Sequence, residues 1–372
     1  MKLIYAANVR LPTEKAHGLQ IMKMCQAFSA RGIEVELLVP RRRNDIKQDA
    51  FDFYNIKKTF RIIRIPCLDF VSFDIAKIGF LISAASFFIF AEIYLFFKKY
   101  DVLYSREQLA GIFFKNYILE LHTLPQKIGH FRGFLLDRAS KIIVLTGFLK
   151  NALIKSGIKD EKIFILPDAV DLKEFDIDIS KESARKKLNL PQDKKIILYT
   201  GSFFLYKWKG VDVLLESAKM LAGNYLFVLV GGHPRELDQI RKQYGLKNVI
   251  LAPYVRHEVI PLYLKSADIL IIPNKSGDEI SEKYTSPLKL FEYMASKRPI
   301  VCSDLPSLRE ILTEKEALFF KPNSPGDLVR VLSENIGNPA LLQKIADNAF
   351  KKVQEYTWEN RASLAENIFN TL

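Results

Sequence analysis

The sequence predicts an α/β protein built from two parallel-sheet domains, and three observations predict it. Its 372 residues exceed what one ordinary hydrophobic core organises and suit two domains of roughly 150 to 200 residues each. The chain opens as strand, helix, strand: apolar Leu3 to Ala7, then Leu19, Met22, Met24, Cys25 and Phe28 on one helical face, then Val35 to Val39. A second series of the same kind starts at Ile196 to Thr200 and continues through Tyr225 to Val230, Ile269 to Ile272 and Pro299 to Cys302. Strand, crossover helix and strand form the repeating unit of a parallel sheet.

Composition narrows the class. With 49% hydrophobic and 26% charged residues, no low-complexity tract and no internal repeat, the chain is globular. Cys25, Cys67 and Cys302 are isolated, which suggests a reducing compartment and no structural zinc. The start, MKLIYAANV, reads as a first strand rather than a signal peptide. A net charge of +13 fits nucleic acid, an anionic membrane face or an anionic substrate. Zinc-finger spacings and RNA-binding aromatic motifs are absent from the sequence, so nucleic acid is the weakest of the three.

Parallel sheets bind ligands at the carboxyl ends of their strands. In the first half those positions hold Asn8, Arg10, His17 and Gly18, then Arg106 after Tyr104-Ser105, and His122 after Glu120-Leu121. An imidazole with a reference pKa of about 6.5 stays neutral and still donates one hydrogen bond, which suits His122 to such a place. Arg41, Arg42 and Arg43 follow the second strand and read either as a solvated face or as a patch for lipid headgroups or a phosphorylated acceptor.

Between Ile75 and Phe97 the chain is almost entirely apolar, with no charge from Ile78 to Ala91. That charge-free stretch makes about 21 Å of helix, short of the roughly 30 Å hydrocarbon core. Strand-like patterns resume after it at Asp101 to Tyr104 and Tyr117 to Leu121, so the helix is expected to dock on the first sheet. Its aromatics, Phe80, Phe87, Phe88, Phe90, Phe96 and Phe97, exceed what one sheet face covers. The uncovered part of residues 75–97 is a candidate for peripheral membrane contact. Lys141 to Leu145 is expected to be the last strand of this half. Polar Asp171–Glu182 is expected to be a linker.

In the second half, Gly201-Ser202 close a strand and Lys207-Trp208-Lys209-Gly210 precede a helix, a loop with cations at a helix start that favours an anion. Gly231-Gly232 follow the next strand and permit close backbone approach. Tyr254 follows Val249 to Ala252. The densest motif is Tyr284–Ala295, YTSPLKLFEYMA: behind an apolar strand and a loop with Asp278 and Glu279, Ser286 and Pro287 form a turn, and the helix amides that follow favour a phosphate.

These stretches, most specifically Tyr199 to Cys302, resemble the retaining glycosyltransferases with two Rossmann-like domains, glycosyltransferase family 4, also called glycosyl transferases group 1. The resemblance implies a GT-B fold: two Rossmann-like domains facing across a cleft, with a C-terminal helix crossing back to the first. The implied boundaries are 1–170 for the acceptor-binding domain, 171–355 for the nucleotide-sugar-binding domain and 356–372 for the tail helix. Glu292 falls on the second glutamate of the family's pair, and the first falls on Tyr284, leaving Glu279, Glu282 and Tyr284 as candidates for the donor sugar. Lys209 matches the family's diphosphate lysine. Ser202 stands where an arginine is usual, and Lys207 is the candidate to replace that charge. Gly18, Gly201, Gly231, Tyr254, Ser286, Pro287, Leu288 and Lys289 complete the implied donor site. His122 matches the histidine near the anomeric carbon, and Asn8, Arg10, His17 and Arg106 are the acceptor candidates.

The resemblance thus implies a retaining transfer from a nucleotide-diphosphate sugar to a glycan or lipid-linked acceptor, for cell-surface polysaccharide or glycolipid synthesis, with His122, Lys209 and Glu292 central to catalysis. The sequence is read as having no Asp-x-Asp metal-binding triplet, in agreement with a family that needs no metal, and no metal is expected. The expected place is the cytoplasm, at the inner face of the membrane. Alternatives of other classes are a sugar-nucleotide epimerase or a phosphorylase on the same fold, a non-catalytic nucleotide-sugar-binding or scaffold protein, and a membrane adapter.

Overall fold

The computed structural model describes residues 1–70, 76–125, 128–203, 207–221 and 223–372. They form two compact units, Met1–Pro167 with Trp358–Leu372, and Asp168–Thr357. Each is a Rossmann-like parallel sheet with helices on both faces.

The first unit begins with strand β1 (Lys2–Ala6), helix α1 (Ala16–Ala30), β2 (Glu34–Pro40), α2 (Ala50–Phe53) and β3 (Arg61–Ile65). It continues with α3 (Ala76–Phe96), β4 (Val102–Ser105), α4 (Ala110–Phe113) and β5 (Tyr117–Leu121). Helix α5 (His130–Asp137), β6 (Ala139–Val144), α6 (Gly147–Lys155) and β7 (Ile163–Ile165) complete the seven-stranded sheet, in the order β3-β2-β1-β4-β5-β6-β7. Leu3, Ile4, Tyr5 and Ala6 are all buried, the pattern of a central parallel strand covered on both faces. Ile75, the first residue of the expected apolar helix, lies outside the described residues; α3 docks on β2 and β3 through Ala84, Phe87, Phe88, Ala91 and Leu95.

The second unit opens with α7 (Leu172–Phe175), α8 (Lys181–Lys187), β8 (Lys195–Thr200), α9 (Val211–Met220) and β9 (Tyr225–Gly232). Then come α10 (Pro234–Tyr244), β10 (Val249–Pro253), α11 (Ile260–Ser266), β11 (Ile269–Ile272), α12 (Leu288–Ala295) and β12 (Ile300–Ser303). It ends with α13 (Pro306–Arg309), β13 (Leu318–Phe320), α14 (Pro325–Asn335) and α15 (Pro339–Val353). Its sheet order is β10-β9-β8-β11-β12-β13, with an apolar core on either face. The last helix, α16 (Trp358–Phe369), belongs to the first unit, where Phe369 packs on Phe28 of α1 at 5.4 Å and on Tyr104 of β4 at 5.9 Å between ring centroids.

Three local expectations change. Asp171–Glu182 is not a linker: Asp171 and Ser180 cap α7 and α8, and Phe175 is buried in the second unit's core. The spaced apolar pair Leu172 and Phe175 outweighs the polar composition around it. Ile163–Ile165 is a seventh strand, beyond the one expected to end the first sheet. Arg61–Ile65 is an additional edge strand, where Arg61 and Arg64 interrupt the apolar pattern as edge strands tolerate.

Because α16 supplies a buried aromatic wedge to the first unit, Phe369→Ala should cost about 3 kcal/mol or more. Urea unfolding followed through Trp358 fluorescence in a Trp208→Phe background measures it, and an unchanged midpoint would show the wedge to be dispensable.

Candidate functional site

In the second unit the carboxyl ends of β8, β9 and β11 gather the chemistry. Gly201 has φ 134° and Gly231 φ 115°, and a Cβ on Gly231 would lie 2.7 Å from the Gly201 carbonyl oxygen, so two bare backbones touch behind the loop. Lys209 Nζ donates to Ser202 Oγ at 2.7 Å, and burial lowers its pKa to about 8. Lys289, in the first turn of α12, points its ammonium at the same place. Its Nζ would be 3.0 Å from a Cβ at Gly201 and lies 3.9 Å from the centre of the Tyr199 ring.

Among the described residues Lys289 Nζ has no hydrogen-bond partner. Burial first, and then Lys209, push its pKa well below the ordinary lysine value, with Glu292 opposing. Glu292 sits one turn later on α12 and accepts from, or is paired with, His257 Nε2 at 2.8 Å. The helix is fixed by Tyr293, whose hydroxyl accepts from Thr200 N at 2.8 Å, and by Ser286 Oγ, which accepts from Asp168 N at 3.0 Å. Asn274, just after β11, keeps Nδ2 buried and without a partner among the described residues. Two lysine side chains and the start of α12 meet at Gly201-Ser202, an arrangement that a polyanion would satisfy.

In the first unit the centre is Glu120, fully buried on β5. Its carboxylate accepts from Gln20 Nε2 at 2.7 Å and from the Tyr104 hydroxyl, pairs with Arg361 Nη2 of α16 at 3.2 Å, and meets His122 Nε2 at 2.6 Å. Burial opposes its charge, and Arg361, the hydrogen bond from His122 and Arg106 together outweigh burial and hold the carboxyl well below its usual range. His122 titrates at about 4, through burial and then Arg106, and is therefore neutral at pH 7. With Nε2–H donating to Glu120, Nδ1 is left as an acceptor. Arg361 also grips the Pro167 carbonyl through Nε at 2.8 Å.

The remaining sequence candidates fall as follows. Asn8 is buried, accepts from Arg42 Nη2 at 2.7 Å, and leaves Nδ2 without a partner among the described residues. Arg10 pairs with Glu14 at 3.5 Å. His17 lies in the first turn of α1, its pKa lowered to about 4 by burial and then by Arg106, which donates to Gln20 Oε1 at 2.6 Å. At Gly18 the close neighbour is internal: a Cβ would lie 2.1 Å from the Tyr54 hydroxyl.

Lys207 is exposed in a 3-10 turn, and Lys289 rather than Lys207 brings the second ammonium to Gly201-Ser202. Glu282 accepts from Gly277 N at 2.8 Å, Glu279 pairs with Lys283 at 3.3 Å, and the buried Tyr284 has its pKa raised by burial and by its hydrogen bond to Glu279. Pro287 caps α12, ahead of the first amides at Leu288 and Lys289, and Tyr254 is exposed with its N–H on the Gly232 carbonyl at 3.1 Å. The chain does contain one Asp-x-Asp, Asp176-Ile177-Asp178, but Asp176 is taken by Lys297 at 2.8 Å and Lys265 at 3.4 Å. No group of three or more His, Cys, Asp or Glu is placed to hold a metal ion among the described residues.

Sequence reasoning did not single out Glu120, Gln20, Arg361 or His257. An acid inside the apolar run YILEL was a usable signal for Glu120; Arg361 and His257 had none, because their partners are over 200 and 35 residues away.

Comparison with known proteins extends the picture. Residues 180–352 match the family described as Glycosyl transferases group 1. A curated relative, the N,N'-diacetylbacillosaminyl-diphospho-undecaprenol alpha-1,3-N-acetylgalactosaminyltransferase of Campylobacter jejuni, is 29% identical over 54% of this chain and 52% of its own. Three further curated relatives are matched over only 36–59% of their length, so the chain spans about half the length of such relatives. Sucrose-phosphate synthase from Thermosynechococcus elongatus superposes with a TM-score of 0.81 at 19% identity, covering 100% of this chain and 99% of that one. Anabaena Alr3699/HepE in complex with UDP-glucose superposes at 0.77 with 16% identity and full coverage of both chains. These likenesses establish the fold, the two Rossmann-like domains and returning C-terminal helix of the GT-B architecture.

Two outcomes follow from the first unit. His17 and His122 bind protons more readily unfolded, near 6.5, than folded, near 4. Stability is therefore full above about pH 6.5 and is lost as pH falls toward 4, by about 2 to 3 kcal/mol per histidine. Urea midpoints across that window should show the slope and His122→Asn should flatten it; a flat wild-type profile would contradict neutral imidazoles. Glu120→Gln, which strands Arg361, should cost about 3 to 5 kcal/mol at pH 7 in the same measurement.

Proposed function

We propose, with the glycosyl transferases group 1 match over residues 180–352 as the premise, that this chain is a retaining glycosyltransferase. It transfers a sugar from a nucleotide-diphosphate sugar to a glycan or lipid-linked acceptor in cell-surface polysaccharide or glycolipid synthesis. The observation that carries this reading is the pair Lys209 and Lys289, two enclosed ammonium groups aimed at Gly201-Ser202, the second without a hydrogen-bond partner among the described residues. Two cations so placed repel each other and lose hydration, and a diphosphate between them relieves both costs.

In this reading the acceptor hydroxyl attacks the anomeric carbon on the face the nucleotide leaves. The bond from that carbon to the β-phosphate oxygen breaks, a bond to the acceptor oxygen forms, and the hydroxyl proton passes to the departing diphosphate. Lys209, Lys289 and the first amides of α12 stabilise the charge developing on that phosphate. Glu292, held by His257, takes ribose hydroxyls. His122 is neutral and accepts a hydrogen bond from a sugar hydroxyl at Nδ1, with Glu120 holding the ring in that tautomer. Asn8, Arg10, His17 and Arg106 serve the acceptor, and Glu279, Glu282 and Tyr284 border the donor sugar. The reading requires no metal. It places the protein at the cytoplasmic face of the membrane, in contact through α3, whose outer side is apolar.

Titration calorimetry with UDP-, GDP- and ADP-sugars, starting from UDP-glucose, tests the donor site. At pH 8, where Lys209 is about half protonated, an arriving diphosphate should raise the lowered pKa values of both lysines and draw protons from the buffer. Lys209→Met and Lys289→Met should each weaken binding about tenfold or more and reduce the uptake. Donor binding indifferent to both variants would refute the site. Tight binding with no nucleoside diphosphate released on addition of cell-envelope acceptors would instead favour the non-catalytic reading.

A further inference from the structure

Among the described residues, most of the exposed large apolar side chains lie between residues 68 and 134. On α3, Ile78, Leu81, Ile82, Ile89, Ile93 and Phe96 share one side of the helix, opposite the buried face that docks on the sheet, with the exposed Glu92 among them and Phe80 and Phe90 exposed to either side. Phe96 and Phe97 are 85% and 76% exposed.

The apolar side does not end with α3. In the order β3-β2-β1-β4-β5-β6-β7 the connections β3 to β4, β4 to β5 and β5 to β6 all advance in one direction, so right-handed crossovers put α3, α4 and α5 on the same sheet face. They lie side by side: Phe88 of α3 stacks on Phe113 of α4 at 5.7 Å, and a Cβ on Gly111 of α4 would lie 2.7 Å from the Leu135 carbonyl of α5. The outer side of that layer adds Ile112 and the 64% exposed Phe131 with Phe134.

Charge indicates what covers it. The loops leading into β4, β5 and β6 share one edge of the layer and carry Lys98, Lys99, Lys115 and Arg138. Of the acids there, Asp101 accepts from Lys2 N and Asp137 pairs with Lys162. Glu92 is the acid on α3. Lys98 lies over the Tyr94 ring at 5.0 Å, a cation at the tip of an apolar body as at a headgroup boundary, whereas Arg138, over the Phe134 ring at 5.6 Å, turns inward with Nη2 on the Phe114 carbonyl at 3.3 Å. A second copy would bring a like-charged rim against this one, whereas an anionic bilayer complements it.

We propose that the outer side of α3, α4 and α5 is one docking surface for an anionic lipid bilayer, in which Phe131 and Phe134 of α5 form a second anchor beside α3. This rests on the reading of α3 as the membrane contact and extends it to a plane of three helices with a lipid preference.

Co-sedimentation of the full chain with phosphatidylcholine vesicles, with and without phosphatidylglycerol, tests it. The wild type should bind the anionic vesicles and lose most of that binding in high salt. Phe131→Ser/Phe134→Ser and Phe96→Ser/Phe97→Ser should each weaken binding about tenfold or more, while circular dichroism and donor binding stay unchanged, and Met220→Ser, exposed on α9, should have no effect. Loss in the α3 variant alone would overturn the second anchor and leave the α3 contact standing. Equal binding to both vesicles would overturn the lipid preference. No binding by the wild type to either vesicle, or concentration-dependent self-association relieved by the same variants, would overturn both the plane and the α3 reading.

Discussion

A parallel strand covered on both faces has little room for polar chemistry until it ends. That constraint organises both units. β1 and β8 through β12 are apolar almost throughout, and the groups able to act on a ligand gather where strands stop: Asn8 after β1, Arg106 after β4, His122 after β5, Gly201-Ser202 after β8, Gly231 at the end of β9 and Asn274 after β11. The loops there lead into helices that return over the same sheet, and so their amides and side chains gather at one edge of it.

Glu120 is the exception within a strand, and the first unit is arranged around accommodating it. A lone buried carboxylate would protonate. Here Arg361 from the last helix, Gln20 from α1, Tyr104 from the neighbouring strand and His122 just past the end of its own strand surround it. The charge thereby ties the returning helix to the strand end that carries His122. The second unit treats charge in the opposite way: Lys209 and Lys289 are both enclosed, burial lowers the pKa of each, and Glu292 opposes the shift at Lys289, an arrangement that favours an anion. One unit holds a rigid, compensated network and the other an uncompensated one, as expected of a scaffold that orients groups and a site that waits for its ligand.

Much of the fold was legible in the sequence because period and burial go together in buried parallel sheets. The runs at residues 3–7, 35–39, 196–200, 225–230 and 269–272 announce their strands, and Ser286-Pro287 before a helical period announces the turn into α12. Where local composition misled, a few apolar residues outweighed it: Phe175 turned a presumed linker into part of a core, and Ile62, Ile63 and Ile65 made an edge strand between arginines. Lys207 looked like the second cation because it is near Lys209 in sequence, yet Lys289, eighty residues on, is near in space.

By itself the sequence determined the two α/β units, the strand ends where chemistry could sit, and the identity of several residues there, because periodicity and turn chemistry act over a few residues. Tertiary structure alone decided which charges meet. Whether Lys289 faces Gly201 or solvent, whether Glu120 is neutralised by Arg361, whether Gly18 clears a ligand or Tyr54, and whether the apolar side of α3 continues across α4 and α5 all depend on the packing of distant segments. Electrostatic and close-packing energies fall off over a few ångströms in space and carry no record of separation along the chain.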